Sequence, residues 1–522
     1  MSLLKKISPR RSRVRKSIFA ERFSQVGGLA NTDSIISISL LLLFIVLSVF
    51  ILSYQQTTWL KIFPITVIVT LISLAAALYI YNYQKRMLKN HVRVVILIAL
   101  FILLLASTKF MTSKLIGLQS KYTPLSWATG TAVIVAIILT IAYDQRFAIG
   151  MSAFYCIFAS LAAEPAGSAG DYQLLNIDLF LIMMTGAFTC TLSLKEIRTR
   201  IKLLQVSAIA AVLVFIMALC VELFNTNVRT SVALVNAGLH AGVTMAVGLL
   251  IQSLLPLIEK AFRIVTSMTL LDYSDANQPL LKKLAMEAPG TFSHSLLIGS
   301  VAEAAAESIG RNGLLCRVGA YYHDIGKLNK AAYFIENESG LGSRHKELSP
   351  TMSHLIIVGH VKDGIEMARE YGLPNVLRQF IETHHGTTVI EHFYNEAKKL
   401  RARKSRGKAN EEPSESEFRY PGPKPRTKEA AIVMLADTVE GAVRSLPEIT
   451  PTKIDAVVHN MAMRRLQDGQ FDECDMSLRE LSQIETSISK TLAAHYHSRI
   501  AYPKPPDEPF ETLPLSHSQK SS

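Results

Sequence analysis

The chain has 522 residues, 49% of them hydrophobic, and its 55 Lys and Arg against 42 Asp and Glu give a formal net charge of +13. A mean hydropathy of +0.26 excludes an ordinary soluble multidomain protein of this length and points to a membrane protein. Five cysteines lie far apart with no Cys-x-x-Cys, which excludes a disulfide scaffold or zinc ribbon and puts the polar part of the chain in a reducing compartment.

Basic residues crowd the start of the chain, from Lys5 to Arg22. The apolar run Ile35 to Tyr54 follows; it is longer than a signal-peptide core and lacks a small-x-small cleavage site, so it reads as a retained transmembrane helix. Eight such spans are expected, at 35–54, 62–81, 92–108, 125–142, 147–163, 174–194, 203–224 and 231–256, where Pro256 closes the last. With eight spans, the basic N-terminal arm, the loop with Lys85, Arg86, Lys89 and Arg93, and the loop with Lys195, Arg198, Arg200 and Lys202 all face the cytoplasm. The loop with Lys109, Lys114 and Lys121 dissents, because it falls outside. The arm's place just before a span favours a topological role over nucleic-acid binding, and no nucleic-acid polymer is expected as a partner. Asp178, Glu222 and His240 are the ionisable candidates within the bundle, but they read as span-end or packing residues. No broken-helix repeat argues for transport, so the bundle is expected to anchor and sense.

The remainder is polar and reads as all-α. A linker helix is expected in 257–288, then a domain over 289–500. Helical periodicity covers Ser293 to Ile309 with His294 on the first turn. A second run, Gly313 to Ile325, is stopped by Gly326 and carries His323 and Asp324 on its last turn. Further helices are expected at Ser353–Tyr371, Val376–Glu382 and Glu429–Leu446, the last with Asp437 among apolar residues. A carboxylate there is costly unless paired or bound to metal. A charged insertion near 398–417 is expected to be mobile, Phe418 to Pro425 to form a turn over the site, and the tail 501–522 to be disordered.

The chemistry lies in five pieces in the order H…HD…H…HH…D: His294, His323-Asp324, His360, His384-His385 and Asp437. Imidazoles and carboxylates at this density supply ligands for two divalent metals about 4 Å apart, and so imply phosphoester hydrolysis by an activated water. Asp324 is the natural bridge. His294, His323 and Asp437 complete one metal, and His360, His384 and His385 the other. Asp324, His323 and Lys327 form the expected catalytic set, with Lys327 either contacting phosphate or solvated. A His-rich donor set disfavours magnesium and fits manganese or iron.

The stretches NQPLLKKLAMEAPGTFSHS ending at Ser295, RVGAYYHDIGK at 317–327, IIVGHVKDG at 356–364, HHGT at 384–387, EFRYPGPKPRTKEAA at 417–431 and RLQDGQFDECD at 465–475 resemble the membrane-bound 7TMR-HD family of cyclic di-AMP phosphodiesterases. The resemblance implies hydrolysis of cyclic di-AMP to linear pApA by a di-metal site, and assigns metal roles to the same seven residues. Family members carry a large extracellular domain after the first span; here that interval is only 55–61. The related HD-GYP enzymes for cyclic di-GMP add a Gly-Tyr-Pro element, absent from HHGTTVIEHF. The expected protein is thus a polytopic transmembrane bundle followed by an all-helical cytoplasmic HD phosphohydrolase, multi-pass in the cell membrane, of open oligomeric state with a homodimer included. An HD hydrolase for cyclic di-GMP or a (p)ppGpp-like compound, a non-catalytic dinucleotide receptor, and a transporter are the alternatives.

Overall fold

The computed structural model describes residues 32–54, 59–84, 90–115, 123–163, 176–194, 199–224, 228–262, 264–338, 344–404 and 413–497. The basic arm before Thr32, most of the loop around Lys89, Lys121, Lys195, Arg198, the middle of the charged insertion and the tail beyond residue 497 lie outside them. The described residues are helical almost throughout, with a single bridge between Val389 and Arg419 in place of any strand. They form two compact units that divide at Thr269 and Leu270.

Among its described residues the first unit holds eight helices: α1 Thr32–Leu52, α2 Trp59–Tyr83, α3 His91–Leu115, α4 Thr123–Ala142, α5 Gln145–Ala162, α6 Ile177–Ser193, α7 Arg200–Phe224 and α8 Thr230–Phe262. Six are long and apolar enough to cross a membrane; α5, with Gln145 and Arg146 at its start, and α6, of 17 residues, are not. These two need less apolar length facing lipid, because Met151, Tyr155, Cys156, Leu179, Met183 and Cys190 pack into the bundle core. The centre is α4, against α3, α5, α6 and α8, where Ala132, Val133, Ala136 and Leu139 are fully covered. Small residues there allow the close backbone approach that holds helices together in lipid.

Three expectations change. The third span is not short: α3 runs for 25 residues. Pro256 does not close the last helix, which continues to Phe262. The ring costs one backbone hydrogen bond, and burial of Leu255, Ile258 and Phe262 on either side holds the helix through it. The expected linker helix is therefore the end of α8, then α9 Ser267–Tyr273 and α10 Pro279–Glu287. His240 is buried with Nδ1 2.8 Å from Thr129 Oγ1, and Asn236 donates to Glu222 at 3.3 Å, so both ionisable groups tie helices together.

The second unit continues with α11 Pro289–Ser308, α12 Gly313–Tyr322, a 3₁₀ stretch Ile325–Tyr333, α13 Pro350–Glu370, α14 Asn375–Thr383, α15 Glu391–Lys404, α16 Lys428–Arg444, α17 Pro451–Gln467 and α18 Leu478–His497. Side chains of Asn312, Ser349, Thr427 and Thr450 cap α12, α13, α16 and α17 by accepting from backbone N–H groups of the first turn. The core sits on α16, where every residue from Ala430 to Ala436 is buried. Ile432, Val433, Leu435 and Val439 each gain about 1.5–3 kcal/mol from burial, which sustains a helix carrying Asp437. α15 runs through Lys404 and a 3₁₀ turn spans Glu415–Phe418 with Phe418 buried, so both ends of the expected mobile insertion are ordered, while 405–412 lie outside the described residues.

Candidate metal centre

Five elements of the second unit converge on one point. α11 starts at Pro289, earlier than expected, so His294 lies on its second turn. α12 ends at Tyr322, and His323 and Asp324 occupy the junction with the 3₁₀ stretch instead of a last helical turn. Gly326 is therefore no helix stop. A Cβ there would stand 1.8 Å from His360 O and 2.4 Å from Gly364 N, so glycine is what lets α13 lie against the junction and bring His360 beside Asp324. His384 and His385 follow the end of α14, where Gly386 takes φ +52° and turns the chain away.

The two oxygens of Asp324 face different partners. Oδ1 lies 3.4 Å from His360 Nε2 and 3.5 Å from His384 Nε2. Oδ2 lies 3.1 Å from His323 Nε2 and 3.7 Å from His294 Nε2. Asp437 Oδ1 is 3.0 Å from His294 Nε2 and 3.7 Å from His323 Nε2, while Oδ2 is 3.9 Å from His385 Nδ1. Donor atoms of Asp324, His360, His384 and His385 lie within 4.8 Å of one another, as do those of His294, His323, Asp324 and Asp437. All seven expected ligands are thus brought together, in two groups that share Asp324. Ligands bound at about 2.1 Å would stand roughly 3–3.5 Å apart, the spacing seen.

The imidazoles are held in one orientation. Nδ1 of His323, His360 and His384 faces the carbonyls of Ala320, Ile357 and Phe380 or Ile381 at 2.5, 2.5 and 3.1 or 3.0 Å. A carbonyl only accepts, so Nδ1 carries a proton in all three; the neutral His360 presents a lone pair at Nε2, while His323 keeps a second proton there facing Asp324. His360 Nε2 and His384 Nε2 then lie 3.1 Å apart, lone pair against lone pair, which is favourable only with a cation shared by them. Four buried atoms at the site, His323 Nε2, Asp324 Oδ1, His294 Nδ1 and Glu440 Oε2, make no well-formed hydrogen bond among the described residues. The residues present fit divalent metal ions.

The charges agree. Burial opposes the ionisation of Asp324, but His323 and Lys327 hold its carboxyl well below the usual range. For Asp437 the same cost is outweighed by His294 and His323. Burial also opposes a proton on His323, yet Asp324 and Asp437 raise its pKa to about 10. His360 goes the other way: desolvation takes it to about 3, leaving a neutral ligand.

Lys327 is not solvated. Its Nζ lies 2.7 Å from Asp324 Oδ2 and 2.7 Å from Glu336 Oε1, and Thr291 Oγ1 donates to the same Glu336 oxygen. Two supporting carboxylates escaped sequence reading. Glu336 sits in a short 3₁₀ turn without periodicity. Glu440 lies on α16, and its Oε2 is 2.9 Å from His294 Nδ1; its signal was the place of a second acid three residues after Asp437. The turn after Phe418 does cover the site, with the Tyr420 ring stacked on His385 at 4.2 Å. Of the seven candidate ligands the most exposed side chains are His385 at 23% and Asp437 at 14%, against 6% or less for the rest, so the cluster opens on their side.

The family profile described as "7TM receptor with intracellular HD hydrolase" matches residues 59–266, and that described as "HD domain" matches 291–442. The first stretch holds α2 to α8 up to Phe262, seven helices among the described residues, with α1 before them. A relative called cyclic-di-AMP phosphodiesterase PgpH from Bacillus subtilis (strain 168) is 35% identical over 84% of this chain. A protein of that name from Listeria monocytogenes is 33% identical over 84%. The chain spans 60% and 58% of the length of these relatives. A crystal structure of the L. monocytogenes PgpH HD domain in complex with cyclic-di-AMP is 42% identical, covering 42% of this chain and all of that one, with a TM-score of 0.40.

Proposed function

Because the chain belongs to the family of 7TM receptors with an intracellular HD hydrolase, we propose that it is a membrane-anchored phosphodiesterase that opens cyclic di-AMP to linear pApA. The observation that carries this reading is the carboxylate of Asp324, whose oxygens face two separate sets of imidazoles. A binding-only module has no need of such a bridge. We read the groups as sites for two divalent ions, manganese or iron, with His294, His323, Asp324 and Asp437 holding one and Asp324, His360, His384 and His385 the other.

Hydrolysis adds water across one phosphodiester: a new O–P bond forms, the P–O3′ bond breaks, and the 3′ oxygen leaves with a proton. Divalent ions held by these residues would supply an activated water and charge compensation for the leaving oxygen. The protein prepares the rest. Backbone carbonyls and Glu440 fix the imidazoles so that no reorientation is needed. Lys327 holds Asp324 ionised and anchors it to Glu336, which keeps the bridging oxygens aimed apart. Two dications against two carboxylates leave a positive centre that suits an anionic phosphodiester. The bundle fixes the enzyme in the cell membrane, and the charge of its loops favours a cytoplasmic catalytic unit.

The test incubates the purified full chain, loaded with manganese or iron, with cyclic di-AMP and with cyclic di-GMP, and identifies products. Cyclic di-AMP should yield pApA, and Asp324→Asn should lose both turnover and stoichiometric metal. Product from cyclic di-GMP alone would move the substrate; no product from either, or full turnover by the Asn variant, would overturn the reading.

A further inference from the structure

A polar cavity of about 310 Å³ is lined by residues from the α14–α15 turn, the segment after Ser414 and the end of α17, and three arginines face it: Arg419, Arg464 and Arg465. Two are neutralised. Arg419 bonds Glu415 and Asp468, and Arg464 pairs with Glu391. Arg465 differs. It has no carboxylate oxygen within 4 Å among the described residues, and its Nε and Nη2 converge on the Thr438 hydroxyl at 3.3 and 3.1 Å. The Thr438 hydrogen is spent on Met434 O at 2.8 Å, so this oxygen accepts from Arg465 and can do nothing more.

Thr438 is the residue after Asp437, so the guanidinium is anchored beside the more exposed edge of the metal centre. Burial lowers its pKa, while Asp437 is the leading neighbour that supports its charge. Once Asp437 neutralises a cation, that support is spent. A half-buried guanidinium whose Nε and Nη2 are turned to Thr438 keeps its Nη1 edge for another acceptor, and the paired N–H donors of that edge fit phosphate oxygens. The cavity volume lies within the range of about 300–1,000 Å³ of small-molecule sites.

We propose that Arg465 is a substrate-binding residue that holds a phosphate group of the dinucleotide at the mouth of the metal centre. The proposal rests on the phosphodiesterase reading above. Its rival is a structural one, in which Arg465 only staples α17 to α16 through Thr438.

Steady-state hydrolysis of cyclic di-AMP by the full metal-loaded chain separates them. Arg465→Met should raise KM about 10- to 100-fold with kcat within about threefold, and leave metal content and Tm as in the native protein. Arg465→Lys keeps the charge without the fork and should recover part of the loss; it decides the matter if the Met variant does not fold. Thr438→Val removes the staple but leaves the cation and its donors, so its KM should rise clearly less than that of Arg465→Met. Unchanged KM in the Arg465 variants, or a Thr438→Val variant that reproduces their loss, overturns this proposal alone. A native protein that neither binds nor opens cyclic di-AMP overturns it together with the proposed function.

Discussion

Glu440 Oε2 stands 2.9 Å from His294 Nδ1, both buried, so the imidazole has only Nε2 to offer toward Asp437 at 3.0 Å and Asp324 at 3.7 Å. The second oxygen of Glu440 lies 3.9 Å from Arg444 Nη1 on the far side. A carboxylate behind a ligating histidine sets its orientation and raises its basicity.

Glu440→Gln keeps the volume and removes the charge. The expected loss is about 10- to 100-fold in metal affinity, read by competition titration with a fluorescent chelator on the purified protein. Native affinity in this variant would show that His294 is oriented by something else.

Gly326 gives a second prediction, because its Cβ would meet His360 O at 1.8 Å while a Cβ on Gly441 of α16 would meet nothing within 4 Å. Gly326→Ala must push α13 away, at about 1–3 kcal/mol for overpacking, and should lower metal content as His360 withdraws. Gly441→Ala should stabilise by up to about 1 kcal/mol through helix propensity. Thermal melts and metal analysis of the pair check this; equal and neutral effects would refute the close approach.

These residues mark where the sequence is readable. The seven ligand candidates stand out because His and Asp recur where helices end or run apolar, and Asp437 is conspicuous on a buried stretch of α16. Gly326 misleads, since a glycine after a helix suggests a stop, and its true constraint is a carbonyl 34 positions further along the chain. Lys327 and Glu336 are nine residues apart across a 3₁₀ stretch, where no 3.6 period links them. Span positions were legible from hydropathy; their ends were not, because buried side chains such as Ile258 and Phe262 extend α8 past its proline.

The Arg419–Asp468 pair gives a pH-dependent signature. Burial alone would raise the Asp468 pKa, but the hydrogen bonds from Arg419 bring it below the ordinary value. A depressed carboxyl stabilises the fold above its unfolded pKa of about 3.9 and loses that contribution as pH falls through the lower folded value. Asp468→Asn should therefore melt below the native protein at pH 7, by about 0.2–1 kcal/mol for a partly exposed pair. The gap should close as pH falls below about 3.9 and on through the lower folded value. A gap that widens with acid would reverse the assignment of the charged partner.

Membrane sidedness follows from the order of the helices. Among the described residues eight helices end before Ser267, and the family-matched stretch begins at Trp59, so α1 stands outside the seven. If each of the eight crosses, the N-terminal arm and the second unit share one face, and the loops carrying Lys85, Arg86 and Lys89 and carrying Lys195 and Arg198 share it too. Clustered Lys and Arg near span ends keep a loop cytoplasmic, and three clusters on one face outweigh Lys114 and Lys121 on the other. A reporter fused after Gln119 should then read as external and one fused after Arg86 as cytoplasmic. If α5 and α6, the two helices least suited to cross, instead stay together in one leaflet, both of these readings survive and the N-terminal arm and the second unit still share a face. Only a fusion between them, after Ala166, would change: external if α5 crosses, cytoplasmic if it does not. The seven-helix match favours the external signal, and a cytoplasmic one would reduce the bundle to six crossings.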